Sequence, residues 1–227
     1  MQLTKKLYLL LLLFLIYSCS GLSIKPDARS SFEDGLALFN LGQYEEAVPH
    51  FQKAAELDPD FSKPYFYLGR SYLNLGRWLD AIQPLRTAYD LSPEEYKQEI
   101  FNVFIDALIG AAKSEFAKGN LPEALSHITE AYQTAPGDGQ TGDKLLNTLF
   151  SFGTELLRDG KFRDAITAYS AAADIAPDNA ASLIGLARAF IGNGDVINAL
   201  KALNSAIKLS SGTTEASSLL QQILLGR

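Results

Sequence analysis

Tyr65-Phe66-Tyr67-Leu68-Gly69-Arg70-Ser71-Tyr72, followed by Gly76-Arg77-Trp78-Leu79-Asp80-Ala81-Ile82 and then by Leu85, Ala88 and Pro93, is the stretch on which the reading of the fold turns. Its first part places apolar residues at helical spacing. Gly76 then ends a first helix, because glycine takes a left-handed cap at little cost. A second helix follows, with Asp80 near its positive N-terminal end. Ala81 and Ala88 lie seven residues apart on one face of that helix, and side chains this small let an antiparallel neighbour approach closely. Pro93 closes the unit, since proline cannot continue a helix and disfavours one just before it.

The same unit is written five times. The glycine and first alanine recur as Gly42 and Ala47, Gly76 and Ala81, Gly119 and Ala124, Gly160 and Ala165, and Gly194 and Ala199. A second alanine stands seven residues on in every copy, at Ala54, Ala88, Ala131, Ala172 and Ala206. Pro59, Pro93, Pro136 and Pro177 close four copies, and Ser211 takes that place in the last. The glycines are 34, 43, 41 and 34 residues apart. Recurrence at such a period is the mark of a repeat architecture, and Glu46, Asp80, Glu123 and Asp164 all fall near second-helix N-termini, where acids are favoured.

A helical hairpin of this length with these columns resembles the tetratricopeptide repeat (TPR) family, most closely at Tyr65, Leu68, Gly69, Tyr72, Trp78, Ala81, Leu85, Ala88 and Pro93. The first copy departs from the pattern with Asp34 and Leu38, and the third with Ala111, Ala112 and Glu115. The resemblance implies an all-α fold, a right-handed α-solenoid of about five hairpins plus a C-terminal capping helix. The expected repeats run over about 31–61, 62–94, 95–136, 137–178 and 179–211, with the cap at 212–227. The longer spacings need housing: 94–105 reads as an extension of a first helix, and Gly137–Asp143 as a loop. In the cap, Ala216, Leu219, Leu220, Ile223 and Leu224 form one stripe that covers the last repeat's apolar face.

The N-terminal 18 residues read as an export signal. Lys5 and Lys6 precede the apolar run Leu7–Ile16, and the segment ends Tyr17-Ser18-Cys19-Ser20. Leu7–Tyr17 would span only about 17 Å as a helix, roughly half a hydrocarbon core. Ile16-Tyr17-Ser18-Cys19 resembles the bacterial lipobox, which implies acylation of Cys19, the chain's one cysteine. Acyl chains hold a protein on a membrane at about 0.8 kcal/mol per buried CH₂. Ser20 in place of an aspartate leans the resemblance to the outer membrane, facing the periplasm. Residues 19–30 read as the lipidated N-terminus and a polar tether.

Composition narrows the function. With 227 residues, 47% hydrophobic and 20% charged, the chain has an ordinary globular make-up. A net charge of −6 leaves no basic excess for phosphate backbones, so no nucleic-acid partner is expected. One cysteine excludes an intrachain disulfide and a multi-cysteine zinc site. His50 and His127 read as exposed surface residues, and no nucleophile–base pair stands out, so neither a cofactor, a metal nor an enzymatic activity is expected. Gly137 and Gly142 start like a phosphate-binding loop, but Asp143 stands where the lysine belongs.

The resemblance implies instead a partner-binding groove lined by first helices. Carried over by position, one apolar column contains Phe32, Phe66, Ile109, Phe150 and Ile184, and a second Phe39, Leu73, Phe116, Leu157 and Ile191. Between them lies a column with Leu36, Arg70, Lys113, Thr154 and Arg188. Asn40 and Asn74 hold matching places suited to bonding a peptide backbone. The expectation is a scaffold or adaptor that takes a protein or peptide with apolar anchors and acidic groups, serving assembly of an envelope or secretion complex. The alternative is a self-associating structural module with no dedicated peptide ligand; separately, the apolar columns could serve only to pack neighbouring first helices.

Overall fold

A computed structural model of the chain describes residues 24–134, 137–209 and 213–225. The signal segment and Cys19 lie outside them. The described residues form eleven helices and no strand. In chain order these are α1 (Pro26–Asn40), α2 (Tyr44–Leu57), α3 (Ser62–Asn74), α4 (Trp78–Leu91), α5 (Glu94–Ala117), α6 (Leu121–Thr134), α7 (Gly139–Arg158), α8 (Phe162–Ile175), α9 (Ala180–Gly192), α10 (Val196–Lys208) and α11 (Thr213–Leu224). The result is an all-α repeat fold. Two compact units divide inside α5, one running to Val103 and the other from Phe104.

Each hairpin is built as its sequence dictates. Gly42, Gly76, Gly119, Gly160 and Gly194 stand just past the first helices with φ between 70° and 85°. At Gly76, the N–H of Arg77 reaches back to the Tyr72 carbonyl at 2.8 Å, a helix-closing bond that this left-handed glycine permits. All ten alanines of the two columns are wholly excluded from solvent. Four residues after each first alanine comes a larger buried side chain, namely Phe51, Leu85, Ile128, Tyr169 and Leu203. Burying such a residue is worth about 1.5–3 kcal/mol. Facing this column, the first helices carry Gly35, Gly69, Ala112, Gly153 and Ala187, all buried. A Cβ on Gly69 would lie 2.5 Å from Leu85 Cγ. Tyr169 is gripped from two sides, since Cβ atoms on Gly153 and Gly185 would fall 2.6 Å and 2.3 Å from its ring.

Three local expectations change. Pro26–Ser30 is not tether but the start of α1, because Pro26 at the first helical position presets φ, Asp27 suits the helix N-terminus, and Ala28 is fully buried. Gly137–Asp143 is mostly helix: Asp138 caps α7, accepting from the Thr141 N–H at 3.0 Å, so Gly139–Asp143 follow as its first turn. In α11, Ala216, Leu219, Leu220 and Ile223 pack on Ile184, Leu203 and Ala206 as expected of a cap. Leu224 does not join them and is 72% exposed. The extension at 94–105 is helical, and α5 accordingly runs 24 residues.

Candidate functional site

The first-helix face of the N-terminal unit is paved with rings. Phe32 meets Phe61, Tyr67 and Phe51 at centroid distances of 5.2, 5.6 and 5.8 Å, and Phe39 meets Tyr67 edge-on at 5.2 Å. Such pairs contribute beyond their buried area, by about 0.5–1.5 kcal/mol each. Phe32 and Phe66 are buried, whereas Phe39 and Leu73 are half-buried and keep an open edge. The Arg70 guanidinium lies over three rings, 5.1 Å from Phe39, 5.4 Å from Phe66 and 5.5 Å from Tyr67. Asn74 is exposed and donates to the Arg70 carbonyl at 2.8 Å, so its amide is tied to its own helix; Asn40 is exposed.

Beside this pavement opens a cleft of about 570 Å³, within the same unit. Phe32, Phe61, Phe66, Tyr67 and Ile100 line it, and Asp58, Asp60, Glu99 and Lys63 stand around it. Ile24 and Lys25 border this region: the Lys25 N–H donates to Asp58 at 3.2 Å, and its ammonium to the Leu57 carbonyl at 2.8 Å. The local field is acidic. Tyr65 has its hydroxyl pushed above the ordinary tyrosine value, first by burial and then by the charges of Asp60 and Asp58.

In the C-terminal unit the carried-over residues are more dispersed. Phe116 stacks on Phe152 at 4.0 Å, Phe150 packs against Tyr169 at 6.2 Å, and Leu157 is half-buried. Ile109 and Ile184 are buried, so in the first column packing accounts for most of the apolar surface. The column of cations is not a free row either. Arg188 forms an ion pair with Glu215 of α11, Arg70 is spread over its rings, and Lys113 alone of the three is exposed with no ion pair among the described residues. The structural basis for an acidic partner is correspondingly reduced.

Sequence reading missed two features. Glu115, a departure from the repeat pattern, is buried and accepts from Asn120 at 2.7 Å and Lys118 at 2.8 Å, clamping the α5–α6 turn. Those bonds, from Asn120 first, hold its carboxyl below the usual value. Asp58 and Asp60 also went unremarked, although two acids flanking Pro59 in a turn are a visible signal. His50 and His127 are half-buried, not exposed. Among the described residues no group of three or more His, Cys, Asp or Glu could hold a metal, and no helix is long and apolar enough to cross a membrane.

Residues 35–76 match the family model of a TPR repeat, and residues 156–223 that of a tetratricopeptide repeat. These two segments carry the tetratricopeptide-repeat pattern. No curated protein matches the chain. Among solved structures, a TPR repeats protein from Bacteroides fragilis NCTC 9343 is similar at a TM-score of 0.65 and 16% identity, covering 89% of this chain and 100% of that one. YrrB, described as a TPR protein with an unusual peptide-binding site, is 20% identical over 86% of this chain and 92% of its own, with a TM-score of 0.38. MamA is 18% identical over 83% and 94%, with a TM-score of 0.41. At 16% identity the first likeness bears on the fold alone.

Proposed function

We propose that this chain is a non-enzymatic scaffold, held on the bacterial envelope by a lipid on Cys19, that docks a protein or peptide partner on its first-helix face and aids assembly of an envelope or secretion complex. Tetratricopeptide repeats generally bind protein or peptide partners, and the fold supplies that class of surface. The observation that carries the reading is the edge left open beside the ring pavement, where Leu36, Phe39 and Leu73 are half-buried while Asn40 and Asn74 are exposed. Half-buried apolar side chains rimmed by polar ones are the composition of a recognition surface. The N-terminal sequence supports export and lipidation, with the periplasmic face of the outer membrane as the site of action.

The test is photo-crosslinking in living cells from a residue placed at Asn40, with a control at Lys53 on the exposed side of α2. Capture of one dominant envelope protein from Asn40, and not from Lys53, is the expected result. Equal capture from both positions, or from neither, would sink the reading. A second reading, self-association, is favoured by one observation: Ile197, Leu224 and Leu225 are 69%, 72% and 61% exposed in the C-terminal unit. Light scattering decides it, because association through these exposed side chains survives changes at Asn40 and Leu73 but fails when Ile197 and Leu224 become glutamate.

A further inference from the structure

We infer that the cleft of the N-terminal unit receives a cationic segment, seating one large apolar side chain among Phe32, Phe61, Phe66, Tyr67 and Ile100 with lysine or arginine on either side of it. This rests on the scaffold reading and names the partner's chemistry, opposite in sign to the one the sequence suggests. A volume of about 570 Å³ exceeds any one side chain, so an anchor enters together with its neighbours. The lining sorts by depth: Phe32, Phe61, Phe66, Tyr67 and Ile100 are buried or half-buried, while Asp60, Glu99 and Lys63 are exposed.

Charge selects the occupant. Three carboxylates, Asp58, Asp60 and Glu99, face one lining ammonium, Lys63. Lys25 adds a second cation nearby, its ammonium held at the Leu57 carbonyl with its charge intact, so three carboxylates stand against two ammoniums and the cleft keeps a net negative charge. No ion pair among the described residues neutralises Asp60 or Glu99, so an incoming cation meets them without displacing a resident partner. Residues 24–103 as a whole hold 13 acids against 8 basic residues, which draws cations towards this unit at long range. Leu91 and Tyr96, 36% and 48% exposed, line the mouth and extend apolar contact to the flanking residues. An acidic segment would be repelled at each of these steps, and like-charge juxtaposition discriminates strongly between partners.

The experiment is a titration of the purified full chain, followed by polarisation of a labelled probe. The probes are the peptides Lys-Lys-Trp-Lys-Lys, Glu-Glu-Trp-Glu-Glu and Lys-Lys-Ala-Lys-Lys. The first binds, and each of the other two binds at least tenfold more weakly. The double variant Asp60→Lys with Glu99→Lys, both exposed positions that leave the core intact, weakens the first probe at least tenfold. Raising salt from 0.05 to 0.5 M weakens it as well, since exposed charges are screened. Failure of Lys-Lys-Trp-Lys-Lys to bind, equal binding of the acidic peptide, or indifference to the double variant overturns the assignment. If Asn40 still captures one envelope protein in that event, the scaffold reading stands without it. Probe binding with no capture at Asn40 leaves the cleft assigned and removes the wider reading.

Discussion

Gly69→Ala is the substitution on which the packing argument can be tried most sharply. Leu85 is fully buried, and a Cβ on Gly69 would lie 2.5 Å from its Cγ and 2.7 Å from its Cδ2. Carbon atoms prefer about 3.5–4.0 Å, so roughly 1 Å has to be regained. The clash is with the branch carbon of an enclosed side chain, which cannot swing aside, and that places the penalty near about 3 kcal/mol, the upper end for overpacking. Alanine over glycine in a helix returns about 1 kcal/mol. The net expectation is a loss of about 2 kcal/mol. In a Leu85→Ala background, itself costing about 2–5 kcal/mol, the clash is gone and the same change becomes stabilising by about 1 kcal/mol. The coupling is therefore about 3 kcal/mol. Urea unfolding of the four proteins, followed by far-UV circular dichroism, measures it. A coupling under about 0.5 kcal/mol, the level at which independent sites add, would refute the reasoning.

Three further outcomes are expected. Ala165→Leu, at a fully buried position of the alanine column, destabilises by about 1–3 kcal/mol or more because facing helices must part; denaturant midpoints check it. Asp195 caps α10, accepting from the Asn198 N–H at 3.1 Å and from its side chain at 2.6 Å, and these bonds hold its carboxyl below the ordinary value. A depressed folded pKa gives stability that is present above the unfolded value, about 3.9, and lost as pH falls through the folded one. Asp195→Asn keeps a capping oxygen, so thermal midpoints taken from pH 7 to pH 2 should lose part of their acid slope. Glu115→Leu removes the clamp on Lys118 and Asn120, and amide exchange at the α5–α6 turn should quicken while α9 and α10 stay unchanged.

The architecture was legible because it rests on side-chain size at fixed intervals. Gly76, Ala81, Ala88 and Pro93 each act through their own backbone or a neighbour at a known offset, and the helices fall where those residues put them. Two misreadings came from treating glycine and proline as breakers without weighing their neighbours. Pro26 starts a helix, and Asp138 with Thr141 turns the glycines after it into a first turn. The site was less legible. A column assignment says which way a residue points but not what else arrives there, and at Arg188 what arrives is Glu215 of α11. The cleft's carboxylates were hidden for the same reason: Asp58 and Asp60 belong to a turn and Glu99 to α5, and only folding brings them to one mouth.

The ten enclosed alanines have a consequence for inheritance. What this architecture demands of its sequence is concentrated in a few interior columns, and the rest of the text is free to drift. A second chain can therefore share only 16% of its residues and still adopt a similar fold. Asn40, Asp60, Glu99 and Tyr96 lie outside those columns. Side chains there can be rewritten without touching the grammar that keeps the helices together, so a lineage can change its surface while keeping its scaffold.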